Sequence, residues 1–175
     1  MGHRQLLIAV ALVALAGSGC ASTIHARVLD AETRQPIQGA VVLGVWTTVE
    51  GLFGLYNHKL VGVGEAETDA EGRFTLERLR SSGLDGEGDG QAVTIYKFGY
   101  VAWSNLFLFP DSAQRRNQRV PSEILLDRLP AGATHQRHLQ FIDGAQGWTV
   151  SEDLMPKFRN SLEQERELAR KGERR

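Results

Sequence analysis

The residue types that most often carry chemistry are few in this chain. It has five histidines and one cysteine among 175 residues, and only His135 and His138 stand at a spacing that suggests a shared metal ion. Residues three apart point to opposite faces of a strand, so shared ligation would require a helix or a turn there. A zinc peptidase also needs a carboxylate ligand and a general base, and no HExxH motif is present. We therefore predict exposed polar histidines, no metal site and no catalytic residue.

Acidic residues cluster in two short stretches. Asp69 and Glu71 stand in "TDAEG" without a third or fourth ligand near them in the sequence. The stretch "DGEGDG" at 85–90 alternates acids with glycines, but it is shorter than an EF-hand loop and lies between predicted strands. The mature region also has no Gly-x-Ser-x-Gly elbow of the kind that serine hydrolases use. We predict a tight turn and a solvated loop, with no cofactor and no enzymatic activity.

Aromatic side chains provide the remaining candidate site. Phe53, Tyr56 and Trp103 are the residues that we assign, speculatively, to a surface on which a sugar or a peptide could stack. The alternative is that these side chains belong to the core, since a β-sandwich commonly buries a tryptophan.

The amino-terminal segment is typical of a secretory signal peptide. Arg4 precedes an apolar run over 6–16, which is too short for a comfortable membrane span, and small residues lead to Cys20. This arrangement resembles the lipobox of bacterial lipoproteins, although Gly17 stands where that family usually has Leu. The resemblance implies cleavage before Cys20 and acylation of its thiol with fatty acids such as palmitate. Ala21 in the following position implies sorting to the outer membrane, facing the periplasm. The alternative is an ordinary signal peptide followed by an incidental free thiol.

Composition and periodicity predict a mainly β domain. The formal charge is −1 and the basic residues are scattered, so we expect no nucleic acid partner. Six or seven short strands follow one another, with turn signals about every ten residues, which is typical of an antiparallel β-sandwich. From Ser151 the pattern becomes helical and places Leu154, Phe158 and Leu162 on one face, with Pro156 in the first turn. This amphipathic helix either packs across the sandwich or docks a partner, and packing is the favoured use.

Three motifs resemble those of carboxypeptidase regulatory-like domains, which have a transthyretin-like, or prealbumin-like, seven-stranded β-sandwich fold. They lie in order within 24–104. Ala26 and Arg34 depart from two glycines that the family usually has. The resemblance implies a non-catalytic accessory or binding module, because the family is attached to many unrelated proteins. The matching residues are Val28, Asp30, Thr33, Pro36, Ile37, Gly39, Ala40 and Val42 in the first motif, Thr68, Asp69, Gly72 and Phe74 in the second, and Gly99 and Tyr100 in the third.

These observations predict four segments and one general role. We expect a signal peptide at 1–19, a lipidated tether at 20–22, the sandwich domain at 23–142, and a linker with the carboxy-terminal helix at 143–175. The expected protein is a lipid-anchored, non-catalytic module of the cell envelope whose partners are the membrane and an envelope protein. Two alternatives stay open: a subunit of an envelope complex, such as the lipoprotein of type VI secretion systems, and a carbohydrate- or peptide-binding module.

Overall fold

A computed structural model describes residues 23–52, 55–78, 90–110, 112, 119–146 and 150–172. In these ranges the chain forms seven strands and three α-helices, and a short 3₁₀ turn at Glu152–Leu154 precedes the second helix. The strands are β1 (Thr23–Asp30), β2 (Val41–Leu52), β3 (Leu55–Glu67), β4 (Arg73–Glu77), β5 (Gly90–Tyr96), β6 (Trp103–Ser104) and β7 (Glu123–Leu126). The helices are α1 (His135–Ala145), α2 (Pro156–Ser161) and α3 (Glu163–Gly172).

The strands form two sheets, as the sequence predicts. One sheet has the order β4-β1-β7 and the other the order β3-β2-β5-β6. The expectation that all strands are antiparallel is wrong at one pair, because β1 and β7 are parallel from Arg27↔Glu123 to Asp30↔Leu126. Parallel neighbours need a long connection, and here the chain builds the entire second sheet between them. The expectation of a single terminal helix is also too simple, since three helices follow β7.

Two cores lie on the two faces of the four-stranded sheet. Its inner face packs against the three-stranded sheet through side chains such as Val28, Leu76, Ile95 and Trp103. Its outer face is covered by the helices through Leu43, Val45, Tyr96, Ile142, Phe158 and Leu162. The continuous apolar run in β2 follows from this arrangement, because a strand that is covered on both faces has no solvent side.

The acidic turn before β4 is structural. The side chain of Asp69 accepts hydrogen bonds from the backbone N–H groups of Glu71 (3.0 Å) and Arg73 (2.7 Å) through Oδ1. Gly72 has a φ of 75°, and a Cβ there would lie 2.5 Å from the carbonyl oxygen of Val28. Only glycine fits such a position without a shift of the backbone. The tight turn predicted for this stretch is confirmed, but the turn does not close a hairpin, because β3 and β4 lie in different sheets and pair with β2 and β1.

The carboxy-terminal region packs on the sheet as separate helical pieces. Pro156 occupies the first turn of α2 and Phe158 and Leu162 are buried, as predicted, whereas Leu154 is 48% exposed in the 3₁₀ turn. The helix is capped from a distance: the Glu65 carboxylate on β3 accepts the N–H groups of Phe158 (2.6 Å) and Lys157 (3.2 Å). Neither Ser151 nor Asp153 caps this helix, because a sheet residue already satisfies those donors.

The proposed division of the chain at 142/143 falls inside α1. Since α1 and α3 also pack against each other, the helical pieces and the sheet share one outer core. No helix in the described ranges combines the length and the apolar composition that crossing a bilayer requires.

Candidate functional site

A fully buried carboxylate lies where α3 meets α1 and the end of β5. Glu165 of α3 has no exposed surface. Its Oε1 lies 2.6 Å from Nδ1 of His135 and 3.1 Å from Nδ1 of His138, both on α1. Its Oε2 accepts a hydrogen bond of 3.0 Å from the Tyr96 hydroxyl. We call these four residues the Glu165 cluster.

The two histidines meet the carboxylate because their segment is a helix. Thr134 caps α1 by accepting the N–H of Arg137 through its side chain, so the helix begins immediately before His135. Residues three apart on a helix share a face, which directs both imidazoles toward α3. The prediction of exposed histidines is wrong for His138, whose side chain is fully buried, while that of His135 is 31% exposed.

The hydrogen bonds of His138 define its protonation. Its Nε2 accepts the backbone N–H of Ala102 at 2.9 Å, so this nitrogen carries no proton. The ring proton is therefore on Nδ1, where it is donated to Glu165, and His138 is neutral. The ring of His135 stacks on Phe98, with 6.1 Å between centroids.

The pKa values in the cluster reflect burial and donated hydrogen bonds. Burial acts to raise the pKa of Glu165, but the hydrogen bonds from His138, His135 and Tyr96 outweigh it, and the net pKa is lowered. The pKa of Tyr96 is raised, first by burial and then by the charge of Glu165. The carboxylate is thus the ionised member at neutral pH, and Tyr96 is its neutral donor.

In this arrangement the ring nitrogens of His138, the Glu165 carboxylate and the Tyr96 hydroxyl bond one another or the backbone. A general base needs a free nitrogen that faces a substrate, and a backbone N–H already occupies the available nitrogen of His138. Both Nδ1 atoms are directed at a carboxylate oxygen instead of at a space between the three side chains. Within the described ranges, no group of three or more His, Cys, Asp and Glu side chains is arranged to hold a metal ion.

A second buried carboxylate lies in the three-stranded sheet. Asp30, at the end of β1, is 3% exposed. Its Oδ1 accepts the backbone N–H groups of Glu32 and Thr33, both at 2.9 Å. Its Oδ2 accepts the Tyr100 hydroxyl at 2.9 Å and the Arg128 guanidinium at 2.8 Å. We call Asp30 with these partners the Asp30 cluster; it joins the turn after β1 to the segments that flank β6 and β7.

The pKa of Asp30 is lowered to about 2. The hydrogen bond from the Thr33 backbone is the largest cause; burial opposes it, and Tyr100, Glu32 and Arg128 add to it. The Arg128 guanidinium also lies over the Tyr100 ring, 5.4 Å from its centroid. The sequence identified Asp30 and Tyr100 as motif positions, and the structure places them in direct contact.

An apolar groove lies on the surface beside α1. It has a volume of about 380 Å³ and lies between the segment 107–110 and the α1 residues Arg137, Gln140, Phe141, Gly144 and Ala145. Phe107 and Leu108 at its edge are 44% and 42% exposed. We call this feature the α1 groove.

The groove exists because the chain leaves the sheet early. Phe107 and Phe109 lie outside the sheet, because β6 ends at Ser104, whose Oγ accepts the N–H groups of Leu106 and Phe107. Phe109 then turns inward, where it is 3% exposed and packs edge-on against His138 at 5.4 Å. Phe107 and Leu108 are left at the surface.

Of the three residues predicted to form an aromatic binding surface, the structure describes the side chain of Trp103. Trp103 is 4% exposed and belongs to the core between the sheets, so its ring is not available for stacking on a ligand. Tyr56 lies in β3, where the backbone alone is described, and Phe53 and the lipidation residue Cys20 lie outside the described residues.

Sequence reasoning missed the Glu165 cluster and the α1 groove. The signal for the first was the spacing of His135 and His138, which is meaningful only on a helix. Glu165 could not be recognised as their partner, because it lies in a run of charged residues that is typical of a solvated helix face.

Comparisons with protein-family models, with curated proteins and with solved structures found no match to this chain.

Proposed function

We propose that this chain is a non-catalytic lipoprotein of the bacterial cell envelope, tethered through acylated Cys20, with a binding or structural role. The observation that carries the proposal is the contrast between its buried polar groups and its exposed apolar groove. The Glu165 and Asp30 clusters use their hydrogen-bonding atoms to hold helices and strands together. The accessible feature nearby is the α1 groove, which suits binding better than chemistry.

A transthyretin-like, carboxypeptidase regulatory-like sandwich is the finer fold that we propose. Support comes from positions where the family uses glycine. Arg34, which replaces one of these glycines, has a φ of 61°, and Gly39, Gly72 and Gly99 have φ values of 69°, 75° and 85°. A positive φ at a non-glycine residue is uncommon, so Arg34 keeps the backbone conformation that the family motif implies.

Membership of an envelope complex is the favoured alternative, and carbohydrate binding is the weaker one. Sugar sites usually present an accessible aromatic face, and Trp103 is buried. An apolar groove with one cation at its edge fits a protein or lipid partner better than a sugar. Co-purification of envelope proteins with the wild-type chain, lost when Phe107 is changed to Asp, is the result expected of a complex subunit.

The anchor is tested by labelling cells that express the full chain with radioactive palmitate. We expect the wild-type protein and a Ser22→Ala control to incorporate the label and to fractionate with membranes. Cys20→Ser should lose the label and enter the soluble fraction, because the acylated thiol is removed. A wild-type chain without label, or a labelled Cys20→Ser variant, would overturn the proposed anchor.

A further inference from the structure

We propose that the α1 groove binds a linear aliphatic carboxylate, a medium-chain fatty acid, with its carboxylate at Arg137 and its hydrocarbon chain along α1. This inference rests on the proposed binding role of the chain and names the class of ligand that the groove takes. It is carried by the length and volume of the groove, by its apolar walls and by the position of one cation.

The groove follows one face of α1. The residues that line it from this helix stand three and four positions apart, a spacing that places side chains on the same side of a helix. With a rise of about 1.5 Å per residue, the face from Arg137 to Gly144 is about 10 Å long. A zigzag carbon chain with bonds of about 1.5 Å covers that distance with roughly eight to ten atoms.

The volume of the groove gives a similar size for the ligand. It is about 380 Å³. Water occupies about 30 Å³ per molecule in the liquid, so the groove holds on the order of a dozen groups of that size. A methylene group is about as large as a water molecule. One alkyl chain with its head group therefore fills the groove, whereas a phospholipid with two chains or a helix of a partner protein is too large for it.

The walls of the groove are apolar and held in place by the fold. Phe109 is 3% exposed, and its ring packs edge-on against Phe141 with 5.3 Å between centroids. Phe107 and Leu108 form the exposed edge. A concave apolar surface that exists before binding loses little conformational freedom when a ligand covers it, which is typical of small-molecule sites.

The end of the groove away from Arg137 is open space above a fixed helix. A Cβ at Gly144 would meet no heavy atom within 4 Å. The next residue, Ala145, is 1% exposed, and its carbonyl accepts the Thr94 hydroxyl of β5 at 3.1 Å. The glycine therefore leaves room at the surface of a helix that is anchored to the sheet, and the last carbons of the ligand would lie there.

Arg137 gives the groove a charged end. Its guanidinium lies over the Phe109 ring, 5.9 Å from the centroid. Among the described residues, no carboxylate forms an ion pair with Arg137, and the first turn of α1 contains no acidic residue. The positive end of the helix dipole adds to this charge, so an anion is favoured at this end. A neutral sugar or an apolar peptide segment would leave the cation without a partner.

The first test is a chain-length series in isothermal titration calorimetry. The full chain with Cys20→Ser is titrated with hexanoate, octanoate, decanoate and dodecanoate below their micellar concentrations, so that no acyl group on the protein competes for the groove. We expect one site per chain and an affinity that rises up to about fourfold with each added methylene. The rise should stop near decanoate, where the groove is full. A chain that binds none of these acids, or an affinity that keeps rising through dodecanoate, would overturn the inference.

The second test fills the groove from within. Gly144→Leu places a side chain in the open space, and leucine favours a helix more than glycine does, so the variant should fold. We expect it to bind decanoate about tenfold more weakly or worse, because at least two methylene positions are covered. The matched control is Gly172→Leu at the end of α3, where a Cβ also meets nothing within 4 Å. Equal affinities of the two variants would show that the acid binds elsewhere.

The third test concerns the head group. Arg137→Gln should weaken binding of octanoate by about threefold, as expected for a partly exposed ion pair, and leave binding of 1-octanol unchanged. Arg170→Gln on the exposed surface of α3 is the control and should affect neither ligand. An equal effect of Arg137→Gln on the acid and the alcohol would contradict the assignment of a carboxylate to this end of the groove.

Other occupants of the groove give different results. A dimer in sedimentation equilibrium that Phe107→Asp dissociates and decanoate does not would assign the groove to a second copy of the chain and overturn the inference. If decanoate fails to bind but envelope proteins still co-purify through Phe107, the ligand class is wrong and the proposed binding role stands. If both fail, the binding role is wrong as well. Labelling with palmitate tests the anchor independently of all these measurements.

Discussion

The Asp30 and Glu165 clusters each stabilise a buried carboxylate, but they use different hydrogen-bond donors. Each holds a carboxylate that is at most 3% exposed, and each carboxylate accepts a tyrosine hydroxyl. Asp30 receives its remaining hydrogen bonds from neighbouring backbone and from Arg128, which is charged at every physiological pH. Glu165 receives them from two histidines, and His138 is neutral.

The two clusters therefore differ in whether a permanently charged donor reaches the carboxylate: Arg128 bonds Asp30, whereas histidines and a tyrosine bond Glu165. The charge of Asp30 is balanced by groups that do not titrate near neutral pH. The charge of Glu165 is balanced by hydrogen bonds from two histidines and a tyrosine. Asp30 bonds within its own turn as well as to Tyr100 and Arg128, whereas every hydrogen-bond partner of the Glu165 carboxylate is distant in the sequence.

Removing the Glu165 carboxylate should have the largest effect. Glu165→Ala leaves the donors of Tyr96 and His138 buried without an acceptor and creates a cavity between α1 and α3. We expect a loss of about 3–5 kcal/mol in the free energy of unfolding. Urea denaturation followed by far-UV circular dichroism measures it.

The matched control for this variant is Glu163→Ala on the exposed face of the same helix. Its ion pair with Arg166 spans 3.5 Å and is largely solvated, so the expected change is within about 0.5 kcal/mol. Similar values for the two variants would show that the Glu165 cluster is not a major contact of the helical layer.

Removing the Asp30 carboxylate should have a smaller effect. Asp30→Ala leaves the Tyr100 hydroxyl and two backbone donors without an acceptor, but the Arg128 side chain is 61% exposed and can turn to water. We expect a loss of about 2–3 kcal/mol, measured as above. A loss as large as that of Glu165→Ala would contradict the view that proximity to solvent reduces the penalty at this site.

The same contrast explains what the sequence could predict. The backbone hydrogen bonds of Asp30 and Asp69 are made within a few residues of each side chain, so turn chemistry and the motif register were enough to locate these positions. The two packed sheets followed from alternation of apolar residues over short stretches. The parallel pairing of β7 with β1, in contrast, depends on contacts between distant parts of the chain.

The Glu165 cluster was hidden for the same reason. It requires that His135 begin a helix and that Glu165 lie on the buried face of another, and neither condition is visible in single-sequence periodicity. Polar residues on buried faces interrupt the apolar periodicity that identifies a helix. His138 and Glu165, which join the helices, therefore made those helices harder to recognise in the sequence. Prediction therefore failed where polar groups, instead of apolar ones, join the elements.

Acid should separate the two clusters. Because the pKa of Glu165 is lowered on folding, its contribution is fully present above the ordinary value of 4.5 and is lost as pH falls through the folded value. The contribution of Asp30 is present above 3.8 and is lost as pH falls toward about 2. We expect Asp30 to contribute on the order of 2 kcal/mol of pH-dependent stability, because its pKa falls from 3.8 to about 2 on folding.

The measurement is the urea midpoint between pH 7 and pH 2.5 for the wild type, Glu165→Gln and Asp30→Asn. Glu165→Gln should flatten the decrease that begins near 4.5, and Asp30→Asn should flatten the part that follows below 3.8. Parallel curves for all three proteins would show that other carboxyl groups dominate acid unfolding.

The smallest effect is expected when the permanent cation itself is removed. Arg128→Met keeps the aliphatic part of the side chain and removes the guanidinium that lies over Tyr100, while Asp30 retains the hydroxyl and the two backbone donors. A guanidinium that is 61% exposed contributes little through its charge, so the expected loss is below about 1 kcal/mol. The control is Lys171→Met, which removes an exposed ion pair with Glu167 and shows how much free energy of unfolding is lost with an ordinary surface cation. Arg128→Met could instead lose as much free energy of unfolding as Asp30→Ala. In that case the charge of Arg128, and not the local backbone donors, would hold Asp30 ionised. The contrast with Glu165 would then rest on the type of cation alone.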